Sequence, residues 1–532
     1  MARRPASLRT PVVTTARPEP DLTPRRRRLI LLTVALSLMT VVSAVSGLNV
    51  ALPSLARDLG ATQTELTWIV DAYTVVFAGL LLAAGAIGDR VGRKGILMVG
   101  LALFGAAAMG AAFAADPGTL IALRAVMGIG AAAIMPTTLS VITTSFPPAE
   151  RGKAVGVWVG VAGSGAVLGL FGSGLLLEFF DWHSFFWLNV TLAVTGLILS
   201  AAVIPPSRDA HPPRFDTPAA LLSLVAVGGI VFGIIEIAAT DAEEPGPMVA
   251  LAVGLAAAVA FVLWELRRRD ALLDPRLFLV RGLGAGSLVL TVQFFAAFGF
   301  FFTALQYLQF VVELSPLMAA VCLLPLPFVM IPLARNAPRI AERFGYRRVV
   351  PLGLVLTAGG FTIMSFLEVE FLYWVFALGL VVFASGMALA GTPSTTVITQ
   401  ALPHEKQGVA SAVNDLSREF GSALGIAVLG SVLAAVYRTG VADVAAGLPG
   451  PAAEAVEGSI AFTQSPMVAQ LGAAAEPVIA AARQAFLDGT TTALLVAAAV
   501  LVVTAVVAAI VGPRHVRAEA EAEAAEAAAV PD

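Results

Sequence analysis

Apolar runs of about 20 residues recur along the whole chain, and each is long enough to cross a bilayer as an α-helix. The 532 residues are 58% hydrophobic and only 13% charged, which excludes a soluble fold of this length. We therefore predict an all-α polytopic membrane protein. Its fourteen spans should lie near residues 29–52, 66–88, 95–114, 117–143, 153–179, 184–204, 218–240, 246–266, 283–312, 316–336, 348–368, 371–397, 408–436 and 486–512.

Most of the basic residues lie in loops and tails on one side of the predicted membrane. An even number of spans puts both termini on the same side of the membrane. If that side is the cytoplasm, only Arg57, Arg438 and Arg483 of the 33 Lys and Arg residues lie outside, with Arg124 and Arg418 inside spans. We expect a multi-pass protein with both termini cytoplasmic. No small-residue cleavage pattern follows the basic segment 1–28, which predicts a first span and not a signal peptide.

Three motifs occur twice in the same order, which indicates two homologous halves. Residues 85–94 match 338–348, 141–154 match 397–410, and 165–174 match 421–430, at offsets of about 253 to 256 residues. Six spans occupy only about 200 residues, so two further spans must be inserted between the halves. The predicted parts are a basic tail (1–28), a first bundle (29–204), two inserted helices (218–266), a second bundle (283–512) with an outer segment (438–484), and an acidic, Ala-rich tail (513–532).

The turn G-A-I-G-D-R-V-G-R-K between spans two and three is short, charged and rich in glycine. It resembles the signature loop of the major facilitator superfamily, with Gly85, Asp89, Arg90, Gly92, Arg93 and Lys94 in register. Glu342 and Arg343 repeat the pattern in the second half. The resemblance implies a role in conformational gating, with Asp89 near the positive end of the next helix. A generic positive-inside loop is the alternative.

Other motifs are similar to the fourteen-span drug:proton antiporters of the QacA/EmrB type, most closely the QacA branch. They include L-N-V-A-L-P (48–53), W-I-V-D-A-Y (68–73) and W-H-S-F-F-W-L-N-V (182–190), and the resemblance covers about residues 29–512. It implies the major facilitator fold, two six-helix bundles related by an axis along the membrane normal, here with two inserted helices. It also implies transport driven by a proton gradient, without a cofactor.

The chain departs from this family at three positions. The first-span acid is replaced by Ala44, the fifth-span motif has Leu170 where its proline belongs, and Met330 stands where the QacA branch has an acid. Two carboxylates that could take protons or cations are therefore missing. A divalent cationic substrate becomes doubtful, and coupling would depend on the remaining acids.

Charges inside spans are the candidates for proton coupling, because a charge in hydrocarbon is costly and usually marks a transport path. We expect Asp71 and Arg124 at similar depth, close enough for an ion pair or a shared hydrated pocket. Arg124 and Gly128 match the family's fourth-span motif, in which protonation of a carboxylate breaks its pair with the arginine. A static buried salt bridge is the alternative.

Span thirteen carries a second group of charges. Asp415 and Glu419 are four residues apart and so share one helix face, with Arg418 beside them. The functional interpretation is that these acids also couple transport to protons, and the alternative is a structural role. Glu236, in an inserted span, is expected to lie outside the main cavity, where it would contribute to helix packing or to nothing.

Aromatic and amide residues in the spans could line an amphipathic cavity for flat lipophilic compounds, through stacking and cation–π contacts. Interfacial or lipid-facing packing is an equal alternative for each of the aromatic residues. The cavity candidates are Asn49, Tyr73, Trp158, Gln293, Tyr307, Gln309, Met330 and Asn414, with Trp68, Phe294 and Phe295 as further aromatic residues. The outer segment 438–484 could touch the outer mouth, although a surface insertion is the more expected interpretation.

These features predict a secondary transporter in a bacterial inner membrane: a proton-coupled exporter of lipophilic drugs, dyes or antibiotics that works by alternating access. Its expected partners are the lipid bilayer, a small lipophilic substrate and protons, with no nucleic acid and no metal, and we expect a monomer. An exporter of a lipid or lipophilic metabolite is the alternative. A sensor or membrane enzyme is disfavoured, because the chain has no HExxH, GxSxG or Walker motif and its four histidines form no cluster.

Overall fold

The computed structural model describes residues 23–207, 216–239, 244–268, 271–402 and 407–513. The predicted tails lie outside these residues, except for 23–28 and 513. The first part contains α1 (Pro24–Ser46), α2 (Leu48–Leu59), α3 (Gln63–Val91), α4 (Arg93–Ala111), α5 (Pro117–Ser145), α6 (Pro148–Phe179) and α7 (His183–Val203). The inserted helices are α8 (Thr217–Ala239) and α9 (Pro245–Glu265).

The second part is also built from helices. It contains α10 (Arg281–Gln306) with a π-helical extension (Tyr307–Val311), α11 (Pro316–Cys322), α12 (Pro325–Phe344), α13 (Tyr346–Met364), α14 (Tyr373–Gln400), α15 (Gln407–Ala445), α16 (Gly450–Gly458) and α17 (Ala475–Val511). Two 3-10 helices, Ile460–Gln464 and Pro466–Ala474, connect α16 to α17.

The helices confirm the predicted spans. Within the described part of the chain, thirteen helices are long and apolar enough to cross a membrane. Helix α6 is a further long helix of 32 residues, and its stretch 154–177 carries no charged residue. Each of the fourteen predicted spans therefore coincides with a helix, except that span one covers α1 and the start of α2 and span ten covers α11 and part of α12.

Helix ends differ from prediction where a helix continues beyond its apolar run. Helix α1 begins at Pro24 instead of 29, α15 continues to Ala445, and α17 begins at Ala475 instead of 486. A helix satisfies its own backbone N–H and C=O groups in water as well as in lipid. Hydropathy therefore marks the membrane surface and not the end of the helix.

The two bundles pack by the same plan. In the first, α5 packs against α3 and α4, α7 against α1 and α4, and α6 against α1. In the second, α14 packs against α12 and α13, α17 against α10 and α13, and α15 against α10. Each of these contacts in the first bundle has its counterpart in the second, as a duplication predicts.

The repeated turn is also the same in both halves. Gly92 (φ 129°) and Gly345 (φ 87°) both end one helix and begin the next, at φ values that residues with a Cβ rarely adopt. Each donates its N–H to the carbonyl four residues earlier, Gly88 O at 3.0 Å and Ala341 O at 2.9 Å. Following the predicted orientation, we call the end of the bundle with these turns the inner end and the opposite end the outer end.

Close contacts join the two bundles at the outer end. A Cβ placed on Gly430 of α15 would lie 3.0 Å from Thr67 Oγ1 of α3, and one on Gly174 of α6 would lie 3.2 Å from Pro316 O of α11. Gln309 Nε2, in the π-helical extension, donates to Val50 O of α2 at 3.1 Å. These contacts close the outer mouth between the bundles.

Glycines of α15 let the second bundle pack tightly. A Cβ on Gly425 would collide with the backbone carbonyl of Phe295 on α10, whereas one on Gly172 of α6 would meet no atom within 4 Å. Small residues allow membrane helices to approach closely, and Gly425 does so for α15 against α10.

We expect Gly425→Ala to lower the free energy of unfolding by about 1–3 kcal/mol, because α10 and α15 must separate to admit the methyl group. The measurement is the midpoint of thermal unfolding of the purified protein in detergent. Gly172→Ala is the matched control, and we expect it to leave the midpoint unchanged. Equal midpoints for the two variants would contradict the tight contact.

Candidate functional site

Arg124 holds three helices together at the centre of the first bundle. It is fully buried on α5. Its Nε donates to Ile69 O (2.9 Å), and its two terminal nitrogens donate to Ala44 O (3.2 Å) and Val70 O (3.5 Å). The guanidinium carbon also lies 4.4 Å from the centre of the Tyr73 ring. The arginine thus joins α5 to α1 and α3, and carbonyl dipoles and an aromatic face stabilise its charge.

Asp71 lies beside this arginine and does not bind it directly. The carboxylate is fully buried on α3, and its Oδ1 accepts a 2.7 Å hydrogen bond from Thr74 Oγ1. Its Oδ2 accepts no hydrogen bond, and the ion pairs within the described ranges include none between Asp71 and Arg124. The two groups remain within electrostatic range. The predicted proximity is present, but the guanidinium binds carbonyls where an ion pair was one expectation.

The span-thirteen charges lie on α15, which packs against α3. Asp415 is 5% exposed and accepts a hydrogen bond from Asn414 Nδ2 at 3.3 Å. Arg418 lies over the Phe294 ring at 4.6 Å and within electrostatic range of both acids. Glu419 is also within electrostatic range of Tyr73 in the other bundle. Asp71 on α3 and the span-thirteen charges on α15 therefore lie on the two helices that meet at one seam between the bundles, whereas Arg124 lies behind them on α5.

Three aromatic cavity candidates are used in helix packing. Tyr73 OH donates to Val41 O (3.1 Å), Trp158 Nε1 to Thr138 Oγ1 (3.0 Å) and Tyr307 OH to Glu368 O (2.9 Å). All three are at most 4% exposed, so they fix neighbouring helices and do not face an open cavity in this conformation. Their polar atoms need acceptors inside the bundle, because hydrocarbon offers none.

Three amide candidates keep one oxygen unused. Asn49, Gln293 and Asn414 are at most 7% exposed, and the side-chain oxygen of each accepts no hydrogen bond from the residues described. Asn49 lies in the first bundle and the other two in the second. Met330 is partly buried on α12. Gln309 differs from them all, because it lies at the outer mouth.

The gating-loop residues contact their own half. Asp89 Oδ1 accepts from Arg93 at 2.8 Å, Arg93 N donates to Ser207 O at 2.9 Å, and Lys94 Nζ donates to Ala201 O at 2.7 Å. These bonds tie the turn to the end of α7. Arg90, Glu342 and Arg343 are exposed at the inner end, and Gly85 packs near Pro136 of α5.

The outer segment lies across the outer mouth. Gln464 accepts from Arg57 Nη1 of α2 (2.9 Å) and donates to Gln309 O (3.3 Å), so one side chain bridges both bundles. Arg483 pairs with Glu313 nearby. Cavities of about 410 and 380 Å³ lie there, both lined by Arg57. Of the two predicted alternatives, contact with the mouth is the observed one. No local sequence signal identifies Gln464, which is 407 residues from Arg57.

Two duplicated helix bundles, with buried carboxylates on the helices at their seam, define a membrane transporter. Residues 34–426 match the Major Facilitator Superfamily, and the chain belongs to that family. It is 34% identical to the multidrug efflux pump LfrA of Mycolicibacterium smegmatis over 478 residues, 89% of this chain and 94% of LfrA.

Two further comparisons agree with this assignment. The puromycin resistance protein pur8 of Streptomyces alboniger is 34% identical over 451 residues, 83% of this chain and 88% of that protein. Among solved structures, a bacterial homolog of the human lysosomal transporter Spinster, inward-facing and unoccupied, matches with a TM-score of 0.62 at 18% identity. The match covers 91% of this chain and 98% of the homolog and shows the shared fold.

We expect Arg124→Lys to lower the thermal unfolding midpoint by several degrees, because a lysine ammonium group cannot replace the planar guanidinium, whose nitrogens reach three carbonyls. Removing these bonds leaves buried polar groups with poorer partners and should cost about 1–3 kcal/mol. The exposed Arg267→Lys is the matched control. An unchanged midpoint for Arg124→Lys would mean that the carbonyl contacts do not hold α1, α3 and α5 together.

Proposed function

We propose that the chain is a proton-coupled exporter of lipophilic drugs, dyes or antibiotics that works by alternating access. The observation that carries this proposal is Asp71. It is a fully buried carboxylate whose Oδ2 is uncommitted, beside a guanidinium already bound to three carbonyls. A structural salt bridge would use both charges. This arrangement instead leaves the carboxylate available to a proton. The efflux and resistance proteins that resemble the chain over most of its length support the cargo class.

Proton binding at Asp71 would change the forces across the seam. The ionised carboxylate is attracted to Arg124 and favoured by contact with water, whereas the neutral acid is compatible with complete burial. A proton that arrives from outside would thus favour the buried state seen here, and its release to the cytoplasm would favour rehydration. Asp415 and Glu419 on α15 would respond to the same proton supply from the opposite side of the seam. The gating residues of the inner turns would change contacts as the bundles rock.

Closure at the outer end supports the alternating-access part of the proposal. Gln464, Gln309 and the Thr67–Gly430 contact join the bundles there. For cargo to leave on the outer side, these contacts must break while the bundles rotate about the seam. The unused oxygens of Asn49 in the first bundle and of Gln293 and Asn414 in the second would then accept hydrogen bonds from cargo.

The setting of the transporter follows from the same proposal. We place it in a bacterial cytoplasmic membrane with both termini inside, as the distribution of basic residues predicts. It would work as a monomer among lipids, because one chain contains both bundles and the seam between them.

We expect Asp71→Asn to abolish proton-linked efflux, at least tenfold below wild type, while folded protein remains in the membrane. The amide has nearly the same shape and cannot take up the proton. The measurement is dye accumulation in everted vesicles, into which an exporter pumps, energised by a pH gradient that is acidic inside. The control is Asp443→Asn, an exposed site on the outer part of α15. Undiminished pumping by Asp71→Asn would remove this residue from the mechanism. A panel that includes lipids with different headgroups would distinguish drug export from lipid export.

We expect Gln464→Ala to favour opening of the outer mouth, because it removes the side chain that bonds to both bundles. The measurement is maleimide labelling of Ser315→Cys, which lines the outer cavity, in a background where Cys322 is replaced by Ala. Labelling should become several times faster with Gln464→Ala and stay unchanged with Glu457→Ala, an exposed residue of the same segment. Equal labelling rates would show that Gln464 does not hold the mouth closed.

A further inference from the structure

The inserted helix α8 covers the seam where the two bundles meet. It packs against α3 of the first bundle, α15 of the second and its own partner α9. Val227, Val231 and Ile235 of α8 form one apolar cluster with residues of both α3 and α15. Rocking of the bundles would move α3 relative to α15, so α8 cannot keep both contacts unchanged.

The contacts with α3 are strong and occur at two depths. Near the outer end, Trp68 Nε1 donates to Glu236 Oε1 at 2.7 Å, and the Trp68 ring lies 5.5 Å from that of Phe232. Deeper in the membrane, Ser223 Oγ donates to Gly79 O at 2.8 Å. A Cβ on Gly79 would lie 3.1 Å from the Cα of Leu224, so the two backbones touch. Charge-assisted hydrogen bonds such as the first are stronger than neutral ones.

The contacts with α15 are weaker. A polar contact between these helices in the described part of the chain is the hydrogen bond from Ser431 Oγ to Ile234 O, at 3.3 Å. The remainder is apolar: Ala423 and Ala427 belong to the shared cluster, and the larger Phe420 and Leu424 pack against it. Apolar contacts are not directional, so one helix can slide along another without losing a strong bond.

We propose that α8 moves with the first bundle and slides along α15 during transport, with Glu236 and Trp68 as the positioning residues that fix it to α3. This inference rests on the proposed function and adds the part played by the inserted helices. Trp68 is three residues from Asp71 on α3, so this bond also steadies the helix that carries the candidate proton site. Glu236 works here as a hydrogen-bond acceptor.

The inner end of α9 is attached to the second bundle and would be the point about which the inserted pair turns relative to it. Glu265 Oε2 accepts from Leu273 N at 3.2 Å, and Arg276 donates to Leu266 O at 3.2 Å. These bonds tie the end of α9 to the segment that leads into α10. The inserted pair is therefore fixed to the first bundle through α8 and attached to the second near the inner end of α9.

Cross-linking tests the inference directly. A Cβ on Gly79 lies 3.7 Å from the Cβ of Leu224, within the roughly 3.5–4.5 Å range of a disulfide. Gly79→Cys with Leu224→Cys therefore joins α8 to α3, and Ile234→Cys with Ser431→Cys, bridged by a short thiol-specific linker, joins α8 to α15. Both pairs are made in the Cys322→Ala background, and dye efflux is measured before and after reduction.

We expect the α8–α3 cross-link to retain at least half of the reduced activity and the α8–α15 cross-link to lower efflux at least tenfold, with recovery on reduction. The reverse pattern would place the inserted pair with the second bundle and overturn the inference. Two harmless or two inhibitory cross-links would overturn it as well. Lack of efflux by the Cys322→Ala parent in its reduced form would count against the proposed function and not against this inference.

A distance measurement keeps the inference testable without transport. Spin labels at Ile237 on α8, Asp58 on α2 and Thr439 on α15 are compared in pairs at pH 5.5 and pH 8. We expect the 237–439 distance to change with pH and the 237–58 distance to stay constant. Trp68→Phe keeps the ring, removes the donor and should broaden the 237–58 distance distribution. A constant 237–439 distance beside a changing 237–58 distance would overturn the inference.

Discussion

Hydrocarbon offers no hydrogen-bond partner, so every polar group in the spans must find one inside the protein or remain unsatisfied. Helices solve this problem for the backbone. The buried guanidinium of Arg124 solves it by donating hydrogen bonds to backbone carbonyls of α1 and α3, which are already part of helices. The position of α5 relative to both helices follows from this contact. Asp71 therefore lies near a guanidinium whose N–H groups already bind carbonyls. Its Oδ2 accepts no hydrogen bond from the described residues and remains available to a proton.

Features that depend on local sequence were predictable. Apolar runs gave the spans, because membrane thickness sets their length. The duplicated turns were predictable because each requires a glycine at one position, and the sequence shows that glycine in both halves. Gly92 and Gly345 adopt the positive φ values that favour this residue. The sequence also identified Asp71, Arg124, Asp415 and Glu419 as the charged residues inside the spans and hence as candidates for proton coupling, since charges are rare in hydrocarbon.

Features that depend on distant pairing were not predictable. Gln464 contacts Arg57 across 407 residues, and Trp68 contacts Glu236 across 168. The outer segment has an ordinary composition of Ala, Gly and Pro, so its place across the mouth is decided by tertiary contacts. The aromatic cavity candidates show the same limit. Residue type says that Tyr73 and Trp158 need a partner for O–H or N–H, but packing decides whether that partner is cargo or a neighbouring helix.

The outer segment gives the transporter a surface whose shape depends on conformation. Under the alternating access proposed above, Gln464 contacts Arg57 and Gln309 together only while the mouth is closed. Its epitope, formed jointly by α2 and the 3-10 helix Ile460–Gln464, exists in one state and is dismantled in the other. In the proposed orientation, an antibody fragment raised against that joint surface would act from the extracellular medium, without entering the cell, and would arrest the pump by conformational capture.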